Sequence, residues 1–238
     1  MTPAILEISG VSKEYRALRP LRLQQLCVAR GDRIAILGLD QAAAEVFINL
    51  VTGATLPDEG CIALFGRSTA DIVDSADWLA SVDLFGIVSE RAVLLDQLSV
   101  LQNLAMPFTL DIEPPSDEVR GRAERLARDV GLPQSLWNAA VATVDAPDRA
   151  RIRLGRALAL DPAILIADHI SAGLTLDAAA SFGRDLRQAA AQHRAATVAL
   201  TADEAFARVV ADRVFSWQPA TGWLEEKRRR RWFGRVLG

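Results

Sequence analysis

Hydrophobic positions along the chain follow two rhythms. Runs that are apolar at every second position, or unbroken over about five residues, read as strands; longer segments with apolar residues three and four apart read as helices. The strand rhythm predicts residues 5–11 and 21–28, the second closed by the turn Arg30-Gly31-Asp32, and the short buried runs 33–38, 61–65 and around Ile87 and Val88. Residues 41–52 carry the helical rhythm, with Asp40 placed as N-cap and Gly53 as stop. Pro57-Asp58-Glu59-Gly60 reads as a turn.

From 94 to 159 the pattern is mostly helical, broken by Pro107, Pro114-Pro115 and Pro133. Strand and helix then alternate, with strands at 163–167, 196–201 and 214–217 and helices at 176–192 and 204–211. Alternation of this kind builds a parallel sheet with helices on its faces. The predicted fold class is α/β: a mainly parallel sheet flanked by helices, with antiparallel strands at the N-terminus and a helical lobe inserted over about residues 92–158. Residues 1–224 are expected to form this domain and 225–238 a basic C-terminal tail.

Composition narrows the picture. The 238 residues are 50% hydrophobic, enough for a real core, and the net charge of −3 makes no case for nucleic-acid binding. No apolar run is long enough to span a membrane, and the first residues do not read as a signal peptide. Cys27 and Cys61 stand in unrelated places and read as buried thiols in a reducing compartment. Basic residues are almost all arginine: the lysines are Lys13 and Lys227, the histidines His169 and His193. That scarcity limits where lysine or histidine chemistry could reside.

The segment Ile36-Leu37-Gly38-Leu39-Asp40-Gln41-Ala42-Ala43-Ala44-Glu45-Val46 is laid out like a phosphate-binding loop, with an apolar strand running into Gly38 and an apolar helix following. A working loop reads Gly, four residues, then Gly, Lys and Ser/Thr; here the last three positions are Ala43, Ala44 and Glu45. Other pieces fall in a matching order: Leu56-Pro57-Asp58-Glu59-Gly60, Leu98-Ser99-Val100-Leu101-Gln102-Asn103-Leu104, the segment ending Arg156-Ala157-Leu158-Ala159-Leu160-Asp161-Pro162, Ile164-Leu165-Ile166-Ala167-Asp168, and Ala211-Asp212-Arg213-Val214. In this order the chain resembles the ATP-binding subunit of ABC transporters over nearly its whole length. The resemblance implies a P-loop NTPase-like core and makes ATP and Mg²⁺ the family's ligands.

The resemblance also assigns positions. Tyr15 falls where the family stacks an aromatic on adenine, and Asp168 is the Walker B carboxylate that supports Mg²⁺. Gly38, Asp40, Ala43, Ala44, Glu45 and Val46 are the phosphate loop, Glu90 is the Q-loop glutamine, and Asp145 stands in the signature motif. His169 takes the place of the catalytic glutamate and Ala202 that of the switch histidine. Most of these are substitutions. Ala44 removes a positive charge, while Asp40, Glu45 and Asp145 bring negative charge toward a polyanion; like charges a few Å apart repel by roughly a few kcal/mol at an effective dielectric constant near 20. Asp40 is also placed to cap its own helix and so to occupy the former phosphate position.

On this reading the chain is expected to be a pseudo-ATPase: not an enzyme, needing no cofactor, with Asp168 a vestigial metal position. It would be a structural or regulatory subunit bound to a transmembrane permease, to an active ABC ATPase or to a second copy, held on the cytoplasmic face of the membrane. One rival is an atypical ATP-binding or hydrolysing subunit that energises transport. Another is a membrane-surface adaptor touching anionic lipid through Lys227, Arg228, Arg229, Arg230, Arg231 and Trp232.

Overall fold

The computed structural model describes residues 3–227. The chain opens with β1 (Ala4–Lys13) and β2 (Leu21–Ala29), whose alternating burial reflects strands with one face on the core. β3 (Arg33–Leu37) leads into α1 (Gln41–Val51), followed by β4 (Glu59–Leu64) and the two-residue β5 (Arg67–Ser68). Next come α2 (Ser75–Val82), β6 (Phe85–Ser89), and the three helices α3 (Val100–Ala105), α4 (Asp117–Asp129) and α5 (Ala146–Leu158). The last third is β7 (Ile164–Asp168), α6 (Leu176–Gln192), β8 (Ala196–Thr201), α7 (Glu204–Val210), β9 (Arg213–Trp217) and β10 (Leu224–Glu226).

Two sheets result. β2, β1, β4 and β5 form an antiparallel sheet in that order, and the larger sheet runs β10-β9-β3-β8-β7-β6. Its members β9, β3, β8, β7 and β6 are parallel, and β10 pairs antiparallel on β9. Parallel strands are stable when both faces are covered, and the period-2 alternation shows how. Ile34, Ile36, Ile164, Ile166, Val198 and Leu200 point into one core with α1 and the antiparallel sheet. Ala35, Leu37, Leu165, Ala167 and Ala199 point into a second core built with α3 to α7.

The predicted helical middle is three helices joined by the connections 106–116 and 130–145, each helix begun by a capping side chain: Ser99 with Gln102 in a reciprocal box, Ser116, and Asp145. α2, β5 and β10 had no strong signal. α2 buries no residue fully, and the other two are only two and three residues long. Glu59 and Gly60, expected in a turn, begin β4, and Glu225 and Glu226, counted with the basic tail on charge, pair with Ser216 and Phe215 as β10. Cys27 and Cys61, expected to be buried, are exposed, because they fall at outward positions of β2 and β4 in the antiparallel sheet. Arg228, Arg229, Arg230, Arg231 and Trp232 lie outside the described residues. Among the described residues, no helix is long and apolar enough to cross a membrane.

Candidate nucleotide site

β3, β6, β7 and β8 are parallel and in register, so Leu37, Ser89, Asp168 and Thr201 end at one edge of the sheet. That carboxyl edge is where open α/β sheets place ligands. Gly38 turns the chain out of β3 with φ 99°, a conformation that disfavours any side chain. Asp40 is the N-cap of α1: its Oδ1 accepts from the Ala43 amide at 2.8 Å, and its carbonyl accepts from the Ala44 amide at 2.8 Å. The cap expected from the sequence is therefore present. The amides of residues 41 and 42 open the helix without partners in it, as at any α-helix start.

Ala43 and Ala44 are buried in the core beneath the sheet, Ala44 at 0% exposure. Val46 packs partly against the same core, and Glu45 points outward. Tyr15 also lies against this core, and its pKa is raised by burial and then by the negative charge of Asp40.

Asp168, at 4% exposure, closes β7. Its Oδ2 accepts from Ser89 Oγ at 3.0 Å and from Arg91 Nη2 at 2.8 Å. The same guanidinium donates through Nη1 to Glu45 Oε2 at 2.6 Å. Arg91 thus ties the head of α1 to the end of β7. Burial works against its charge, but Asp168 and Glu45 outweigh burial and hold its pKa above the ordinary arginine value. The loop that carries it is clamped from α5. Arg153 donates to the carbonyls of Ala92 and Glu90, and Arg156 donates to that of Val93. Burial lowers the pKa of both clamping arginines.

Arg91 is the functional residue that sequence reasoning missed. The available signal was register: Ser89 pairs with Asp168 in the sheet, so a cation two residues later emerges at the same edge.

The other predicted positions are more dispersed. Glu90 is exposed and its Oε1 lies where a Cβ on Gly173 would be, 2.7 Å away. His169 follows Asp168 with a positive φ of 48°, and its ring Nε2 is buried with no partner among the described residues. Asp145 caps α5 through the Asp148 amide at 3.0 Å. Ala202 is exposed in the turn between β8 and α7. Tyr15 and Asp40 are brought together, as are Glu45 and Asp168. Among the described residues, no hydrogen bond joins Asp145 or Ala202 to them.

Two carboxylates suit Mg²⁺, which takes one or two of them together with phosphate oxygens and water. Asp168 Oδ1 is buried and without a hydrogen-bond partner among the described residues, an oxygen left over for such an ion. Glu45 and Asp168 therefore fit the metal chemically. No larger His, Cys, Asp and Glu cluster occurs among the described residues.

No protein-family profile matches the chain. Curated relatives do. The lipoprotein-releasing system ATP-binding protein LolD of Alcanivorax borkumensis is 30% identical over 174 residues, 71% of this chain and 75% of that protein. LolD 1 of Rhodopseudomonas palustris is 26% identical over 190 residues, 77% of this chain and 83% of its own length. Among solved structures, CbiO1 of Clostridium perfringens, part of the ABC transporter complex CbiONQ, superposes with TM-score 0.78 at 19% identity, covering 93% of this chain and 86% of its own. The dimeric bacterial ABC transporter cassette MJ0796 gives TM-score 0.75 at 21% identity, covering 94% and 99%.

These relatives correct two expectations. The chain was expected not to be an enzyme and to require no cofactor, yet the proteins it matches are named as ATP-binding proteins, and a solved cassette of this fold is described with ADP and phosphate bound. The physical fault lay in the charge count. Glu45 was taken as uncompensated negative charge, whereas Arg91 neutralises it. Ala44 was read as the loss of a positive charge at the loop, and Arg91 brings a guanidinium to the end of β7. With 30% identity to a relative of which it spans 75%, and with the fold of solved cassettes, the chain belongs to the family of ABC transporter ATP-binding domains.

Proposed function

We propose that the chain is the ATP-binding subunit of an ABC-type transport complex. It acts through a transmembrane permease at the inner face of the membrane, as one of two paired cassettes. The cassette comprises residues 1–224 with the lobe at about 92–158 inserted, completed at its edge by β10. One observation carries the reading: relatives named as ATP-binding proteins of a lipoprotein-releasing system align over about three quarters of the chain.

The residues at that edge support nucleotide binding. Tyr15 offers an aromatic face for a base, and the amides of residues 41 and 42 point where a phosphate can be held by a helix N-terminus. Glu45 and Asp168 would hold Mg²⁺, whose chemistry when bound is to neutralise charge on the phosphates. Asp168 is fixed for this by Ser89, and Arg91 balances the two carboxylates. Of the tail reading, the one described basic residue is Lys227. It is engaged with Glu204 at 2.6 Å, so the structure gives that reading no support.

The test is direct. ATP with Mg²⁺ is titrated against the full chain by calorimetry, and phosphate release is assayed alone and with the permease. Saturable binding that weakens on Tyr15→Ala is expected. Absence of binding under both conditions would sink the reading.

A further inference from the structure

We propose that Arg91 is a gate on a divalent-cation site formed by Glu45 and Asp168: its guanidinium pairs with the two carboxylates that the ion would take. This rests on the nucleotide-site reading and adds to it a residue, a ligand and an order of events.

The geometry is that of a cation site already filled. A guanidinium and a hard divalent ion seek the same thing, carboxylate oxygens in a partly dry setting. Arg91 bridges Glu45 Oε2 at 2.6 Å and Asp168 Oδ2 at 2.8 Å, joining the N-terminal half of α1 to the end of β7. One oxygen of the pair is unclaimed. Asp168 Oδ1 is buried and unpartnered among the described residues, although an ionised carboxylate left half-satisfied in the interior is costly. A divalent ion drawn to that oxygen and to Glu45 would lie against the same two carboxylates as the guanidinium, and the repulsion between the two cations would drive Arg91 out.

Departure of the side chain is mechanically cheap. Arg91 is 52% exposed, so the guanidinium can move out toward solvent. The backbone around it need not move: Arg153 and Arg156 hold the carbonyls of Glu90, Ala92 and Val93, on both sides of residue 91. Those clamps start on α5, whose first turn is capped by Asp145. A shift of α5 would therefore carry the gate with it, which gives the helical lobe a physical connection to the cation site. The gate's two-bond hold also sets a threshold, since an ion arriving alone must displace both ion pairs.

The experiment uses Mg²⁺ alone, without nucleotide, on the full chain, read by calorimetric titration and by the thermal midpoint. Wild type is expected to bind Mg²⁺ at least about tenfold more weakly than Arg91→Ala. The variant should show a saturable Mg²⁺-dependent rise in midpoint that wild type lacks. Arg91→Gln, which keeps the side-chain length and removes the charge, is expected to behave like Arg91→Ala and guards against a packing artefact. Adding Glu45→Ala to Arg91→Ala should abolish the gain. Equal Mg²⁺ responses in wild type and variants, or folded variants with none, overturn the gate. Because no nucleotide is present, that failure leaves the ATP reading standing, and the absence of ATP binding alongside a gain of Mg²⁺ binding would remove the ATP reading alone.

Discussion

Arg91 has two partners of very different burial, and the difference decides what each pair contributes. Glu45 is more than half exposed, so its pair with Arg91 is screened by water; Glu45→Ala should cost less than about 1 kcal/mol. Asp168 is buried, and Arg91→Ala leaves it with the Ser89 hydroxyl as its remaining partner. Removing one partner of a buried pair costs about 3–5 kcal/mol, and the half-exposed position of Arg91 puts the expected loss at or below the low end. Urea unfolding in chelator should rank the two variants in that order. A second residue-scale prediction uses the chain's single tyrosine. Burial and the charge of Asp40 raise the pKa of Tyr15, so Asp40→Asn should bring tyrosinate absorbance in at lower pH. A phenol whose folded pKa is raised favours the folded state through its neutral form. That contribution is whole below the unfolded value, about 10, and is lost as pH rises through the folded value. Asp40→Asn should therefore reduce the alkaline fall in stability. The Asp40 cap was legible because it depends on residues three positions apart. Arg91 was not, because its partners are 46 and 77 positions away and meet it only through the parallel pairing of β6 with β7.

At the scale of elements, the same contrast separates what could be read from what could not. α6 and β8 lie where the sequence placed them, since a long amphipathic pattern and an unbroken apolar run each declare one structure. α2 was unreadable because a short helix that buries no residue fully has no strong stripe to show. β10 was hidden by its charge: Glu225 and Glu226 sit on an edge strand, where burial does not select apolar residues. The junction of α5 with β6 was also invisible, though it positions the Arg153 and Arg156 clamp. There Gly86 lets the helix backbone approach so closely that a Cβ would lie 2.3 Å from the Ala157 carbonyl oxygen. That neighbour is main chain and cannot rotate aside. Gly86→Ala should push α5 off the sheet and destabilise by about 1–3 kcal/mol, read as a lower denaturant midpoint. If the clamp acts as described, the variant should also change Mg²⁺ binding by Arg91→Ala protein, because residues 90–93 move with α5.

Over the whole molecule, ion pairs tie segments far apart in sequence and set how the fold responds to acid. Asp212 accepts from Arg33 at 2.8 Å and from Arg187 at 2.6 Å, joining the starts of β3 and β9 to α6. Burial pushes its pKa up, but the two arginines outweigh burial and hold it below the ordinary aspartate value. Lys13 and the Glu14 amide lower Asp58, Arg67 lowers Asp77, and Lys227 with Arg208 lowers Glu204. Each of these carboxylates is depressed in the folded chain. Each therefore contributes stability that is complete above the unfolded values, about 3.9 for aspartate and 4.3 for glutamate, and is lost as pH falls through the lower folded values. The thermal midpoint should accordingly hold steady from neutrality to about pH 5 and drop below about pH 4 as the folded chain gives up these pairs. Asp58, Asp77 and Glu204 act at exposed edges, where water and salt screen them. Asp212 is also exposed, but its two cations lie on β3 and α6 and tie the central sheet to a helix, so Asp212→Asn should lower stability near neutrality and flatten the acid slope. A slope unchanged in that variant would assign the acid response to other carboxylates.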